Sequence, residues 1–338
     1  MTMRRLQLLL CLAIPLITAC GGGGGGGSTA GSAAHAACGQ PGTRCTGTAG
    51  GLEYILYTPA GFKQGESPLI LALHSMHQTG AIMESWTELN ARADRDGFAV
   101  MYPSAPGRRM WCWYFQRCND VPALRSLIAS VQQTLKADPK RIYMIGYSDG
   151  ALMTQRAGVE LGDVLAAIAP VSGNLYEYFF SGVFATDQTQ TQLPVVLPTA
   201  ANPVSVVILH DDNTPNANVY VCGWSSGTFM FPSQDEVFNY WSGPLANDCR
   251  ATSTSEPICR AGVLNVPTKR ASSCKGSADV HYYQLLNSHH NWHTTVGTWN
   301  IPLNAPASGQ PYNPDLDATT GVTTNDVILK FFAAHPKP

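Results

Sequence analysis

Short runs of uninterrupted apolar residues, separated by segments with helical spacing, constrain the fold of this chain more than any other feature. Leu69–Leu73 is one such run, and strands buried on both faces of a sheet have this composition. Strands are predicted at 52–58, 69–73, 98–102, 141–145, 165–171, 204–209 and 280–286, and helices at about 81–94, 121–136, 148–161, 233–241 and 324–335. Because strands alternate with helices, the sequence predicts a mainly parallel central sheet with helices on both faces.

Charge and composition exclude two classes of protein. The chain has 21 Lys and Arg against 23 Asp and Glu, so its net charge of −2 gives no basic surplus to bind a nucleic acid. With 44% apolar residues and only 13% charged ones, it also lacks the composition of a disordered chain. No composition break or internal repeat divides the later part, and residues 38–338 are interpreted as one domain.

The N-terminal segment has the pattern of an export signal. Arg4 and Arg5 precede an apolar stretch that is too short to span a membrane, and residues 1–19 are interpreted as a signal peptide. Leu16–Cys20 resembles a bacterial lipobox, which implies lipidation of Cys20 and a Gly/Ser/Ala-rich tether over residues 20–37. The expected location is the outer membrane, facing the periplasm or cell surface; with an ordinary signal peptide the protein would be secreted.

Eight cysteines remain after Cys11 and Cys20 are set aside, and an even number in an exported chain predicts disulfides. The local pairs Cys38 with Cys45 and Cys112 with Cys118 are favoured, while the pairing of the four cysteines after residue 220 stays open. No Cys-x-x-Cys spacing occurs, which argues against a zinc site.

The pentapeptide Gly146-Tyr147-Ser148-Asp149-Gly150 lies between a predicted strand and a predicted helix. A Gly-x-Ser-x-Gly sequence in this context is typical of a nucleophile elbow, in which small flanking residues leave room for a sharp turn. The turn places the serine at a helix N-terminus, where the dipole favours developing negative charge. Ser148 is therefore the candidate nucleophile.

Several blocks in order along the chain resemble exported α/β-hydrolases, the family of polyhydroxybutyrate depolymerase-like and feruloyl or acetylxylan esterase-like enzymes. The blocks that carry the resemblance are Tyr57-Thr58-Pro59, Leu71-Ala72-Leu73-His74, residues 97–103, Cys112-Trp113, Asp138 to Tyr143 before the elbow, and Ala169 to Gly173. The resemblance implies a disulfide-stapled α/β-hydrolase fold.

The same resemblance implies the partners of Ser148. The base is expected in the His-x-Trp turn as His290, with His289 as the alternative. The acid is expected after the strand that ends at His210, as Asp212 or alternatively Asp211, since the family's His-Gly dipeptide is absent there. On this interpretation His74 is not the base, and it is expected to hydrogen-bond the backbone instead.

The oxyanion hole is expected to use the backbone amides of Met76 and Asp149. Ser75 and Asp149 both depart from the family's usual residues, glycine and Asn or Ala, respectively. Trp113 and Trp292 are candidate substrate-binding residues near the mouth of the site.

Together these features predict a monomeric serine esterase that needs no cofactor or metal and touches a membrane only through its lipid anchor. The first substrate class is a short-chain hydroxyalkanoate polyester or its oligomers, and the alternative is a feruloyl or acetyl ester on plant polysaccharide. Two alternative functions stay open: a serine peptidase, and a non-catalytic surface lipoprotein of the same fold.

Overall fold

A computed structural model describes residues 38–107, 110–113, 118–175, 179–180, 192–193, 196–211, 219–221, 224–226, 232–254, 269–285, 292 and 323–338. One compact unit, Ala36–Pro338, contains all of these residues. Within these ranges, no helix combines the length and the apolar character needed to span a membrane. The predicted signal peptide, Cys20 and the tether lie outside the described residues.

The described strands are β1 (Thr43–Ala49), β2 (Leu52–Thr58), β3 (Leu69–Leu73), β4 (Ala99–Pro103), β5 (Ile142–Tyr147), β6 (Ala167–Val171), β7 (Phe179–Phe180), β8 (Gln192–Leu193), β9 (Ser205–Asp211), β10 (Val219–Val221), β11 (Trp224–Ser226), β12 (Ala251–Thr254), β13 (Lys269–Ser272) and β14 (Val280–Leu285). The described α-helices are α1 (Gly80–Thr87), α2 (Leu89–Asp96), α3 (Val121–Leu135), α4 (Asp149–Glu160), α5 (Gln234–Ser242) and α6 (Thr324–Ala334).

Ten of these strands form one sheet in the order β1-β2-β4-β3-β5-β6-β9-β14-β13-β12. The six central strands, β4 to β14 in that order, are all parallel to their neighbours. The strands at both ends pair antiparallel. The centre is thus the predicted parallel sheet, and antiparallel hairpins extend it on each side.

Two apolar clusters cover the two faces of this sheet, because successive residues of a strand point to opposite sides. In β3, Leu69, Leu71 and Leu73 belong to the first cluster and Ile70 and Ala72 to the second. Helices α3, α4 and α5 pack with the first cluster, and α1, α2 and α6 with the second. The predicted three-layer arrangement is confirmed.

The prediction of one helix from about 81 to 94 is wrong. The chain forms α1 and α2 instead, because Glu88 has a left-handed backbone with φ of 51°. The Thr87 hydroxyl donates to the carbonyl of Met83, and Leu89 then begins α2 with a buried side chain. The break lets both short helices place apolar residues on the same face of the sheet.

Three disulfides lie among the described residues. Cys38 pairs with Cys45 and Cys112 with Cys118, as predicted, and Cys249 pairs with Cys274. The other two cysteines of the last third, at positions 222 and 259, lie outside the described residues.

Candidate active site

Ser148 occupies the turn between β5 and α4 with φ of 55° and ψ of −115°, a backbone region that non-glycine residues rarely adopt. Its N–H donates to the carbonyl of Val171 (3.0 Å), and its own carbonyl accepts from the N–H of Ala151 (2.9 Å). These bonds hold the strained turn between the neighbouring strand and the first turn of α4. Strain fixed in this way is typical of a functional residue, and the turn is that of a nucleophile elbow.

The elbow depends on two glycines that allow backbones to approach closely. A Cβ on Gly146 would lie 2.1 Å from the carbonyl oxygen of Gly150. A Cβ on Gly150 would lie 2.3 Å from the carbonyl oxygen of Leu73, at the end of β3. Both contacts involve backbone atoms, so no side chain could rotate away, and the Gly-x-Ser-x-Gly pattern follows from the packing of α4 on β3 and β5.

The loops that carry the predicted acid and base follow strands on the same side of the sheet as the elbow. Strands β5, β6, β9 and β14 are consecutive and parallel, so their carboxyl ends share one edge. Asp211 is the last residue of β9 and pairs in register with Leu285, the last residue of β14. At about 4.8 Å between strands, these ends lie roughly 10 and 14 Å from the end of β5. Asp212, His289 and His290 lie outside the described residues.

Trp292 connects the predicted histidine turn to the elbow. Its ring lies edge-on to that of Tyr147, with 6.4 Å between ring centroids, and Tyr147 directly precedes Ser148. Its indole N–H donates to the side-chain oxygen of Asn325 in α6 (3.2 Å). Only 9% of Trp292 is exposed. These contacts place Trp292, which follows His290 by two residues, in the packing beside the elbow.

His74 is fully buried at the end of β3 and bonds only with backbone among its described contacts. Its Nε2 accepts from the N–H of Ala105 (2.9 Å), so its Nδ1 carries the proton and donates to the carbonyl of Ser75 (2.7 Å). Burial lowers the pKa of His74, in agreement with a neutral ring. The expectation that His74 bonds the backbone is confirmed.

The loop after His74 carries the predicted oxyanion donor Met76. Its side chain is 47% exposed, and the loop turns through a bond from the N–H of Gln78 to the carbonyl of Ser75 (3.2 Å). The left-handed residue in this loop is His77, with φ of 60°, rather than Ser75. Ser75 therefore replaces glycine without adopting a conformation that favours glycine.

The Asp149 side chain has a role that the sequence reasoning missed. Its carboxylate turns into the protein, and only 6% of the residue is exposed. One oxygen accepts from the N–H of Trp111 (2.8 Å) and the other from the indole N–H of Trp113 (2.7 Å). Burial raises the pKa of Asp149, while these two bonds oppose the rise. Because the partners lie 38 and 36 residues away in sequence, no local pattern could have revealed them.

Trp113, a predicted substrate-binding residue, is 4% exposed, and its indole N–H binds Asp149. Its described contacts thus support the elbow, and direct contact with substrate stays a prediction for Trp113 and Trp292. Among the described residues, no group of three or more His, Cys, Asp or Glu side chains is arranged to hold a metal ion.

The fold defines the class. Over 74% of this chain and 94% of the other, the structure resembles that of an acetyl xylan esterase from Aspergillus awamori, with a TM-score of 0.51 and 15% sequence identity. Together with the central parallel sheet and the elbow after β5, this likeness shows that the chain has the α/β-hydrolase fold.

A narrower match covers residues 52–209, which fit the family model described as Esterase PHB depolymerase. The matched segment is slightly less than half of the chain. It includes the elbow and every parallel strand up to β9 but ends before the predicted histidine.

Curated relatives that match part of this chain are named for different substrates. A bifunctional acetylxylan esterase/xylanase of Neocallimastix patriciarum is 31% identical over 43% of this chain and 20% of its own length. Feruloyl esterase B of Piromyces equi is 31% identical over 38% and 25%. Poly(3-hydroxyalkanoate) depolymerase C of Paucimonas lemoignei is 27% identical over 38% and 33%. The chain thus spans between a fifth and a third of the length of these relatives.

Proposed function

We propose that this protein is a serine carboxylic-ester hydrolase that acts through an acyl-enzyme. The observation that carries the proposal is the strained backbone of Ser148 at the N-terminus of α4, in the turn that follows a central parallel strand. A nucleophile elbow has this combination of strain, close glycine packing and position at the carboxyl edge of the sheet. The curated relatives, whose names are those of esterases and a poly(3-hydroxyalkanoate) depolymerase, support it.

In the proposed mechanism, His290 removes the proton from the Ser148 hydroxyl, and the serine oxygen attacks the ester carbonyl carbon. The carbonyl oxygen becomes an oxyanion that accepts hydrogen bonds from the amides of Asp149 and Met76. His290 then protonates the departing alcohol. A water molecule, deprotonated by His290, releases the acid from Ser148, while Asp212, or alternatively Asp211, orients the imidazole.

Three observations support a triad built in this way. The loops after β9 and β14 leave the same edge of the sheet as Ser148. Trp292, which follows His290 by two residues, packs against Tyr147, and Tyr147 directly precedes Ser148. The chain order of serine, aspartate and histidine is the order of α/β-hydrolases.

The test of the nucleophile replaces Ser148 by alanine and compares it with Ser130→Ala, which alters an exposed serine on α3. We expect Ser148→Ala to abolish hydrolysis of p-nitrophenyl butyrate and covalent labelling by a fluorophosphonate, with unchanged thermal unfolding. Ser130→Ala should retain both activities. Undiminished turnover by Ser148→Ala would refute the assignment, and a wild-type protein that neither turns over esters nor takes the label would be a non-catalytic member of the fold.

For the substrate, we propose a short-chain hydroxyalkanoate polyester or its oligomers, and feruloyl or acetyl esters of plant polysaccharide as the second class. Relatives of both kinds match part of this chain. A chain with 13% charged residues suits an uncharged polymer. Hydrolysis of polyhydroxybutyrate granules, hydroxybutyrate dimers, methyl ferulate and acetylxylan, measured side by side, separates the two classes. Faster turnover of methyl ferulate or acetylxylan would overturn the first choice.

We further propose that the protein is exported, acylated on Cys20, and attached to the outer membrane as a monomer. The disulfides support export, because such bonds persist in oxidising compartments. Mass spectrometry of the mature N-terminus tests this. Acyl chains on Cys20 are expected, and a mature protein without them, released into the medium, would favour the secreted alternative.

A further inference from the structure

The carboxylate of Asp149 is a buried charged group that the proposed mechanism does not use, since only the amide of this residue faces the reaction. A buried carboxylate costs free energy unless its oxygens are hydrogen-bonded. Here each oxygen has a donor, and both donors, the amide of Trp111 and the indole of Trp113, belong to one short stretch of chain. Residues 111–113 are the tryptophan segment.

The tryptophan segment also contacts the other half of the proposed oxyanion hole. The indole N–H of Trp111 donates to the carbonyl of His74 (3.0 Å), and the two rings lie 5.1 Å apart. His74 is held in turn by the N–H of Ala105. Met76, the second proposed amide donor, follows His74 by two residues. One segment therefore bonds the side chain of one proposed donor residue, Asp149, and the backbone of His74, two residues before the other.

The tryptophan segment is fixed from its far side as well. Cys112 is joined to Cys118 by a disulfide, and its N–H donates to the Asp120 carboxylate (2.7 Å). The N–H of Asp120 returns a bond to the carbonyl of Cys112 (3.1 Å). Arg156, on α4, donates to the carbonyl of Cys118 (2.7 Å). Because the segment is anchored in this way, it can hold both Asp149 and His74 in fixed positions.

We propose that the Asp149 carboxylate is a positioning residue, which sets the spacing of the two oxyanion amides by holding the tryptophan segment between the elbow and the end of β3. This inference rests on the proposed function. Asparagine cannot replace the carboxylate here, because it offers one acceptor and its NH2 group would face a second N–H donor.

The test is a double-mutant cycle of Asp149→Asn and Trp113→Phe, with Asp163→Asn as a control that removes an exposed carboxylate paired to Arg125. For each variant, kcat and KM for p-nitrophenyl butyrate, affinity for a butyl boronic acid and thermal unfolding are measured. The boronate forms a tetrahedral anion on the serine, so its affinity reports on the geometry of the oxyanion hole. If Asp149 had only a structural role, its replacement would leave this affinity unchanged.

We expect Asp149→Asn and Trp113→Phe each to lower kcat by about 10- to 100-fold, because a displacement near 1 Å in a catalytic site has that effect. Affinity for the boronate should fall by a similar factor with little change in KM. The double variant should be no slower than the slower single variant, since both remove the same bond. Asp163→Asn should behave as wild type. If Asp149→Asn does not fold, Trp113→Phe, which keeps the carboxylate and its bond to Trp111, carries the test.

Three results would overturn the inference: kcat and boronate affinity within threefold of wild type in both single variants, losses that multiply in the double variant, or a loss confined to thermal stability. In each case an active wild type and an inactive Ser148→Ala would leave the proposed function intact. An inactive wild type would refute the proposed function itself, and this inference with it.

Discussion

Replacing Gly150 by alanine should have two opposing effects on the free energy of unfolding, and the destabilising one should be larger. Gly150 lies in the first turn of α4, where alanine would stabilise a helix by about 1 kcal/mol relative to glycine. However, the new Cβ would lie 2.3 Å from the carbonyl oxygen of Leu73 and 2.6 Å from that of His74. An ordinary contact begins at 3.4 Å, so α4 and the end of β3 must separate by about 1 Å.

Overpacking costs about 1 to 3 kcal/mol, and we take the upper part of this range, about 2 to 3 kcal/mol, because the contacts are with backbone atoms that cannot rotate away; this cost outweighs the gain in helix propensity. We therefore expect Gly150→Ala to lower the free energy of unfolding by about 1 to 2 kcal/mol. The same separation moves the amide of Asp149 away from the loop of Met76, so kcat should fall by about 100-fold.

Urea unfolding followed by circular dichroism, and kcat for p-nitrophenyl butyrate, measure the two effects. Gly61→Ala is the matched control, since a Cβ there meets nothing within 4 Å and the backbone is not left-handed. It should stay within about 0.5 kcal/mol of wild type. A Gly150→Ala protein that is as stable as wild type, with kcat within threefold, would refute the argument that close packing at the elbow holds the site together.

Two further predictions concern the contacts of α6. Burial lowers the pKa of His281 to about 4 from 6.5, so the folded protein keeps this ring neutral while the unfolded chain takes up a proton below about pH 6.5. Stability should therefore fall by about 2 to 3 kcal/mol more between pH 7 and pH 4.5 in wild type than in His281→Gln, as measured by urea unfolding at both values; equal losses would contradict this. Asn325→Ala should lower stability by about 2 to 4 kcal/mol, because it leaves the buried indole N–H of Trp292 and the carbonyl of Thr87 without their partner. It should also lower kcat, since Trp292 follows His290; unchanged urea unfolding and kcat would show that this contact supports neither the core nor the histidine turn.

The central strands and the sharp turn at Ser148 were accessible from sequence because their signals are local. A run such as Leu69–Leu73 is apolar throughout because both faces of that strand are buried. The elbow at Ser148 is equally local, since its glycines flank the serine directly and the strand and helix adjoin it. Both predictions therefore needed only a few neighbouring residues.

The antiparallel strands at the sheet edges were missed for the opposite reason. β1 alternates half-buried and exposed residues, and β12 is exposed throughout, so neither has the apolar pattern by which buried strands are recognised. Their positions depend on pairing with β2 and β13 rather than on their own composition.

The break at Glu88 and the role of the Asp149 carboxylate also escaped prediction. A left-handed glutamate has no sequence signature, and it ends α1 where the packing of Leu89 requires a change of direction. For Asp149, the deciding partners come from a distant loop. Whether Asp211 or Asp212 completes the triad stays a prediction, as does the choice of His290.

Helix α6 ties the end of the chain to its first half and so affects the time course of folding. Asn325 donates to the carbonyl of Thr87 across 238 residues, and Tyr143 donates to the carbonyl of Phe332 across 189. Contacts between such distant residues form late, because a long loop must close before they are gained. The part of the second apolar cluster that α6 covers thus stays exposed on the nascent chain until residue 332 has been synthesised, whereas the residues of α1 and α2 in the same cluster are available much earlier.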